Sequence, residues 1–300
     1  MSVLLQSPQF EPGRQPSRED RTGETSTPAT SESVPLRRYY DALLAAYGPQ
    51  HWWPGRTRFE VIVGAILVQN TSWTNVAAAI ENLRREKLLT PLAIERVSTP
   101  RLARLIRSSG YFRQKAKKLK AFVRFLRRGY QGSLAKLFRG PTEVLRQQLL
   151  SVHGIGPETA DSILLYSGNH PVFVVDAYTR RVLERHGLAH SKLDYEQVRQ
   201  LFQSNLAPDA ALYNEFHALI VHTGKHFCRP REPRCGECPL GEFLPVKGPA
   251  GFASAARGPE LRRSLDSGIG LVFIDRNPRG SAECVLRYRD ARAPEGNAAL

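Results

Sequence analysis

Apolar residues recur at three- and four-residue spacing along most of the chain from Leu36 to Ile220, the rhythm of helices that bury one face. Leu36, Tyr39, Tyr40, Leu43, Leu44 and Tyr47 form the first stripe, and Gly48-Pro49 stops it. From Phe59 to Val68 apolar side chains occupy nearly every face, which predicts a central helix buried all round. Thr57-Arg58-Phe59-Glu60 has the spacing of a capping box at its start. Thr90-Pro91 and Thr99-Pro100 each read as a cap with proline in the first turn. Past Gly110, Ala116, Leu119, Val123 and Leu126 face a core while the lysines between them face out. Asp194-Tyr195-Glu196-Gln197 caps a helix that buries Val198, Leu201 and Phe202. Leu212, Phe216, Leu219 and Ile220 mark the last long helix. No run before residue 240 reads as a convincing strand, so the expected fold class is all-α.

The most informative stretch is Leu149 to Arg181. The stripe Val144, Leu145, Leu149 ends near His153, and Gly154 and Gly156 follow, able to take backbone angles other residues avoid. Pro157 suits the first position of a new helix, whose buried face is Ala160, Ile163 and Leu164. A glycine turn before a helix start can present free N–H groups to a phosphate, or it can simply join two packed helices. Asp176 then ends the apolar run Val172 to Val175 and opens a helix from Ala177 to His186. That position suits an N-cap, a catalytic carboxylate, or both at once.

The ends differ in character. Residues 1–34 are rich in Ser, Thr, Pro, Glu and Arg and read as a disordered tail. Residues 241–300 are unassigned, with a β-hairpin as one reading around Asn277-Pro278-Arg279-Gly280. The net charge of +15 calls for a polyanion, and nucleic acid is the usual one. Four cysteines in 300 residues, three of them clustered, do not make a secreted disulfide scaffold. No apolar run reaches the ~18 residues of a membrane span, and no signal peptide shows at the start. The expected compartment is the cytoplasm, at the nucleoid. Six residues separate Cys228 from Cys235 and two separate Cys235 from Cys238. With His226 the three thiols would suit zinc; without a fourth ligand they are a basic loop.

Val152-His153-Gly154-Ile155-Gly156, Thr159-Ala160 and Val175-Asp176 together resemble the helix-hairpin-helix, Gly/Pro-rich, aspartate superfamily of DNA glycosylases, of the endonuclease III type. The resemblance covers roughly residues 35–240 by order of elements. It implies two helical lobes with a groove between them. One is formed by residues 35–55 plus 168–240, carrying Asp176 and the cysteine loop; the other, residues 56–167, ends in the hairpin. It also implies double-stranded DNA with damaged bases as partner, a monomer, and phosphate contacts from Val152, Gly154 and Gly156, with Lys115 and Lys118 in support. Asp176 would be catalytic, and Gln69 would fill the gap left by an extruded nucleotide. Cys228, Cys235 and Cys238 match three ligands of the family's iron–sulfur loop, a 4Fe-4S cluster, while Leu244 stands at the fourth ligand position.

Two further departures sharpen the expected reaction. Bifunctional members carry a lysine nucleophile just after the hairpin, and Glu158 stands there. A carboxylate forms no Schiff base, so base release without strand cleavage is expected. His51 to Gly55 and Gln69 to Trp73 resemble the 3-methyladenine DNA glycosylase III branch, in which an aromatic residue from each loop sandwiches the flipped base. By position these are Trp53 and Trp73, although tryptophan is often only a core plug. Indole faces attract a cationic alkylated purine. The alternatives are an endonuclease III-like enzyme for oxidised pyrimidines with lyase activity, and a DNA-binding module without chemistry.

Overall fold

The computed structural model describes residues 35–52 and 55–250. Among these, regular structure is helical, with no strand. The disordered tail and the hairpin around Asn277 were read in stretches outside the described residues, as was Trp53.

Helix α2 (Arg58–Leu67) is the centre, as its all-round apolar pattern demands: every residue from Phe59 to Leu67 is buried. It packs on α3 (Trp73–Arg85), on α6 (Phe112–Tyr130), on α9 (Pro157–Ser162) and on the turn that follows α9. Thr57 Oγ1 accepts the Glu60 N–H, but the capping box is half made. The Glu60 carboxylate turns inward and takes Arg84 of α3 at 2.8 Å, so its charge is paired across the packing interface. Helices α4 (Pro91–Arg96) and α5 (Thr99–Leu105) follow; Thr90 caps the first, but Ser98, not Thr99, caps the second. After α7 (Leu134–Leu137), α8 (Thr142–Leu150) leads to the hairpin. Leu145 and Leu149 of α8 are buried, whereas Val144 is 52% exposed and leaves the expected stripe.

The other group of helices is built on α12 (Ala210–His226), which packs against α1 (Leu36–Tyr47) and α10 (Ala177–Arg185). The run Val172 to Val175 is buried and belongs to neither helix nor strand. Phe173 stacks on Phe202 of α11 (Tyr195–Asn205) at 3.7 Å between ring centroids. This buried run carries the chain from the hairpin to Asp176, so the packing of four apolar side chains fixes where that carboxylate sits. Helix α11 starts with a complete Asp194/Gln197 capping box.

Candidate active site

The hairpin is clamped from behind. Arg146 of α8 makes a bidentate pair with Asp161 of α9 at 2.6 and 3.1 Å, and both side chains are buried. A fork-to-carboxylate pair of this kind fixes orientation as well as distance. In the turn, Gly154 has φ +83°, a left-handed backbone that glycine adopts without strain. A Cβ there would also meet the Lys118 side chain at 2.4 Å. Gly156 is different from expectation. Its φ is −93°, an ordinary extended value, and a Cβ there would meet nothing within 4 Å. Neither the backbone angle nor the packing therefore requires glycine at 156.

The assigned donors divide in the same way. Val152 is buried, and its N–H is spent on Leu149 O at 3.0 Å. It anchors the turn and cannot also serve a phosphate, which corrects its expected role. Among the described residues no backbone acceptor takes the N–H of Gly154 or Gly156. Gly156 is the N-cap of α9, and Gly154 lies in the turn before it.

In front of the hairpin lies an open groove of about 680 Å³, lined by Gln69, Asn70, Lys118, Gly154, Glu158 and Tyr195 among others. Gln69 is held against the hairpin: its Nε2 donates to Thr159 Oγ1 at 2.8 Å and to Gly154 O at 3.2 Å. The Lys118 ammonium donates to Gln69 Oε1. One side chain thus ties together α6, the loop after α2 and the glycine turn. Lys115 is not part of this surface. It is only 2% exposed, and its ammonium donates inward to Leu67 O at 2.9 Å and Ser109 O at 2.5 Å. Burial, with Lys118 nearby, lowers its pKa to about 8. The expectation that the lysines of α6 all face out holds for Lys117 and fails for Lys115, which binds the last carbonyl of α2 and that of Ser109 instead.

Asp176 caps α10: its Oδ1 accepts the Thr179 N–H at 2.8 Å and the Thr179 hydroxyl at 3.0 Å. Both readings of this residue remain compatible, because Oδ2 takes no part in the cap. The Asp176 side chain keeps 15% of its surface, and its Oδ2 lies 3.6 Å from Nε2 of the buried His217. The other ring nitrogen of His217 is 2.6 Å from the Tyr166 hydroxyl. Sequence reasoning missed Tyr166 and His217. They stand 51 positions apart on faces that read as ordinary core, so no spacing announces them.

Glu158 opens onto the groove with more than a third of its surface exposed, but its carboxyl end is hemmed in by protein. That burial, and then the charge of Asp176, push its pKa up to about 7. Water in the groove softens the push; its direction is toward a neutral carboxyl beside Asp176. Trp73 is the first residue of α3, half-buried and packed against the core.

The three clustered cysteines surround one narrow cavity together with Arg185, His186 and Thr223. Leu244 lines the same cavity, so the fourth ligand position is filled by an isobutyl group. The Arg185 guanidinium donates to Cys228 Sγ at 3.2 Å. Burial pushes the Cys238 thiol up to about 11. Among the described residues no three His, Cys, Asp or Glu side chains stand together closely enough to hold a metal ion. This donor set does not fit a four-thiolate cluster.

The comparisons agree with the hairpin, the aspartate and the helical order. The family model for HhH-GPD superfamily base excision DNA repair proteins matches residues 63–208. A Methanocaldococcus jannaschii protein, provisionally named a DNA repair glycosylase, is 47% identical over 210 residues, 69% of this chain and 94% of its own length. The chain belongs to the HhH-GPD superfamily. As a member it is a DNA N-glycosylase of base excision repair. Endonuclease III of Thermotoga maritima is 28% identical over 180 residues, 60% of this chain and 79% of the enzyme. The fold of an endonuclease III–DNA complex matches with a TM-score of 0.61 over 70% of this chain and 94% of that one, at 23% identity. The 3-methyladenine DNA glycosylase MagIII of H. pylori, bound to 1,N6-ethenoadenine, matches with a TM-score of 0.55 at 29% identity, over 63% of this chain and 97% of that one. No helix among the described residues is long and apolar enough to cross a membrane.

Proposed function

We propose that this glycosylase is monofunctional and that it hydrolyses the N-glycosidic bond of flipped, N-alkylated purines such as 3-methyladenine. The observation that carries the reading is Glu158: a carboxyl, driven toward its neutral form, faces the groove beside Asp176 at the position where a lyase needs an amine. Of the two nearby amines, Lys115 is enclosed by α2 and α6, and Lys118 is engaged by Gln69. Duplex DNA lies across the groove between the segment 56–167 and the segments 35–55 and 168–240. The amides of Gly154 and Gly156 and the Lys118 ammonium hold its backbone. Gln69 enters the duplex where the nucleotide has left, exchanging its bonds to the hairpin for bonds to DNA.

The chemistry follows from charge. A cationic alkylated base is already a good leaving group, so a strong acid is not required. Asp176 stabilises the positive charge that develops on the sugar and orients the attacking water. A Glu158 carboxyl shifted toward its neutral form lessens the second negative charge beside it. Trp73, with Trp53 by the family resemblance, supplies the indole faces that favour a cationic ring. The support is the resemblance of both loops to the 3-methyladenine branch and the match to MagIII.

The test is to incubate the protein with duplexes carrying 3-methyladenine, 7-methylguanine, thymine glycol or uracil and to identify the released base. Cationic purines should lead, Trp73→Ala should cost more on them than on uracil, and borohydride should trap no covalent adduct. Thymine glycol as the best substrate would overturn the pocket assignment. A trapped adduct would overturn the monofunctional one, with Lys118 the first residue to replace.

A further inference from the structure

The two oxygens of Asp176 are held unequally. Oδ1 carries two donors from Thr179 and is fixed by the start of α10. Oδ2, the oxygen left for chemistry, has His217 Nε2 at 3.6 Å. That nitrogen is buried and has no acceptor within hydrogen-bond range. Leaving a buried donor in this condition is unfavourable, so the contact gains by closing. Catalytic hydrogen bonds are commonly long before substrate is seated.

The chain of contacts behind His217 fixes which way its protons point. The Tyr166 hydroxyl sits 2.6 Å from His217 Nδ1. With that hydroxyl donating to Nδ1, the ring carries its proton on Nε2, aimed at Asp176 Oδ2. A neutral ring is required for this, and burial lowers the His217 pKa against the opposing pull of Asp176.

Tyr166 reaches His217 because the backbone departs from an α-helix there. Residues Ile163–Ser167 form a single π-helical turn, closed by the Gly168 N–H on Ile163 O at 3.1 Å. Ser167 ties that turn to α2 through Arg58 O at 3.0 Å. Isolated π turns concentrate at functional sites because they re-aim one side chain inside an otherwise regular helix.

We infer that Tyr166 and His217 are positioning residues that set Asp176 Oδ2 for the reaction, Tyr166 acting through its hydrogen bond to His217. The inference rests on Asp176 being the catalytic carboxylate.

The experiment uses the full chain and a duplex carrying the base that the wild type releases best. Single-turnover base release and affinity for a duplex with a tetrahydrofuran abasic analogue are measured for Tyr166→Phe, His217→Leu, His217→Gln and Asp176→Asn. Tyr166→Phe removes one hydroxyl and should slow release about tenfold, the equivalent of one hydrogen bond, with affinity within twofold of wild type. His217→Leu should be slower still. His217→Gln, whose amide can donate to Oδ2, should recover most of the rate. On an Asp176→Asn background Tyr166→Phe should cost nothing further, since the two act on one step. Rates within twofold of wild type for both Tyr166→Phe and His217→Leu would overturn the proposal. So would affinity falling in parallel with rate, or His217→Gln being as slow as His217→Leu. Full turnover by Asp176→Asn would instead overturn the reading of Asp176 itself, and the positioning proposal with it.

Discussion

The two hairpin glycines make opposite demands, and alanine at each separates folding from DNA binding. At 154 a methyl group meets two penalties. The left-handed backbone at φ +83° costs an L-residue roughly 1–2 kcal/mol. The Lys118 side chain, 2.4 Å from the added carbon, must move and release Gln69, a loss of about 1 kcal/mol. Gly154→Ala should therefore destabilise by about 2–3 kcal/mol. In a domain of this size each kcal/mol lowers the melting temperature by about 2–4 °C. At 156 the backbone is extended and the space is open. Stiffening the unfolded chain gains about 0.4–1 kcal/mol, and alanine is a poorer N-cap than glycine by a similar amount. Gly156→Ala should melt within about 2 °C of wild type. Its methyl group nevertheless stands where a phosphate must approach the turn, so affinity should fall at least tenfold, for every sequence alike. Thermal melts and fluorescence anisotropy on two unrelated duplexes read out both effects. Wild-type affinity in Gly156→Ala would refute the clearance argument, and an unshifted melt in Gly154→Ala would refute the strain argument.

Glu158→Gln should show a pH-dependent stability difference. The folded pKa of about 7 lies above the ordinary value of 4.5, so the wild type is relieved below about 4.5 and penalised increasingly as pH rises through 7. The variant's melting temperature should gain on wild type across that window; a constant difference would remove the buried-carboxyl reading. Lys115→Met should lose about 2–4 kcal/mol, from two buried carbonyls left without a donor. It should leave the salt dependence of DNA binding untouched, while Lys118→Met reduces that slope by about one phosphate's worth. The opposite pattern in salt titrations would reverse the two assignments. Iron reconstitution should leave the wild type well below four irons per chain, with Leu244→Cys taking up more; stoichiometric iron in the wild type would contradict the reading of the cysteine cavity.

How much of this was legible in the chain depends on the scale of the signal. Periodicity placed α2 and α12 well, because burial of a whole face repeats over many residues. The hairpin and Asp176 were legible because glycine, proline and a carboxylate in fixed order leave few conformations. Single side chains were harder. Lys115 and Lys117 look alike in sequence, and only the packing of α6 on α2 turns one inward. Gly154 and Gly156 look alike too, and only the dihedral angles separate them. Glu60 seemed to cap its own helix, but a partner 24 positions away, Arg84, claims it. Tyr166 and His217 left no trace, since the contact between them depends on a local change of helical pitch.

That change of pitch has a consequence for how the chain tolerates insertions and deletions. A π turn holds one residue more than the α-helical path it replaces. Removing one residue between Ile163 and Ser167 would let the helix continue in ordinary register, with its backbone bonds intact and its apolar face renewed. The cost would fall on aim: one residue of an α-helix is about 100° of rotation, enough to swing the ring at 166 away from the histidine. A chain could thus lose a single codon there, fold with little penalty, bind DNA as before and no longer hold its carboxylate ready. In the other direction, the same single-residue insertion into a plain helical ancestor would have supplied the tyrosine's present orientation in one step.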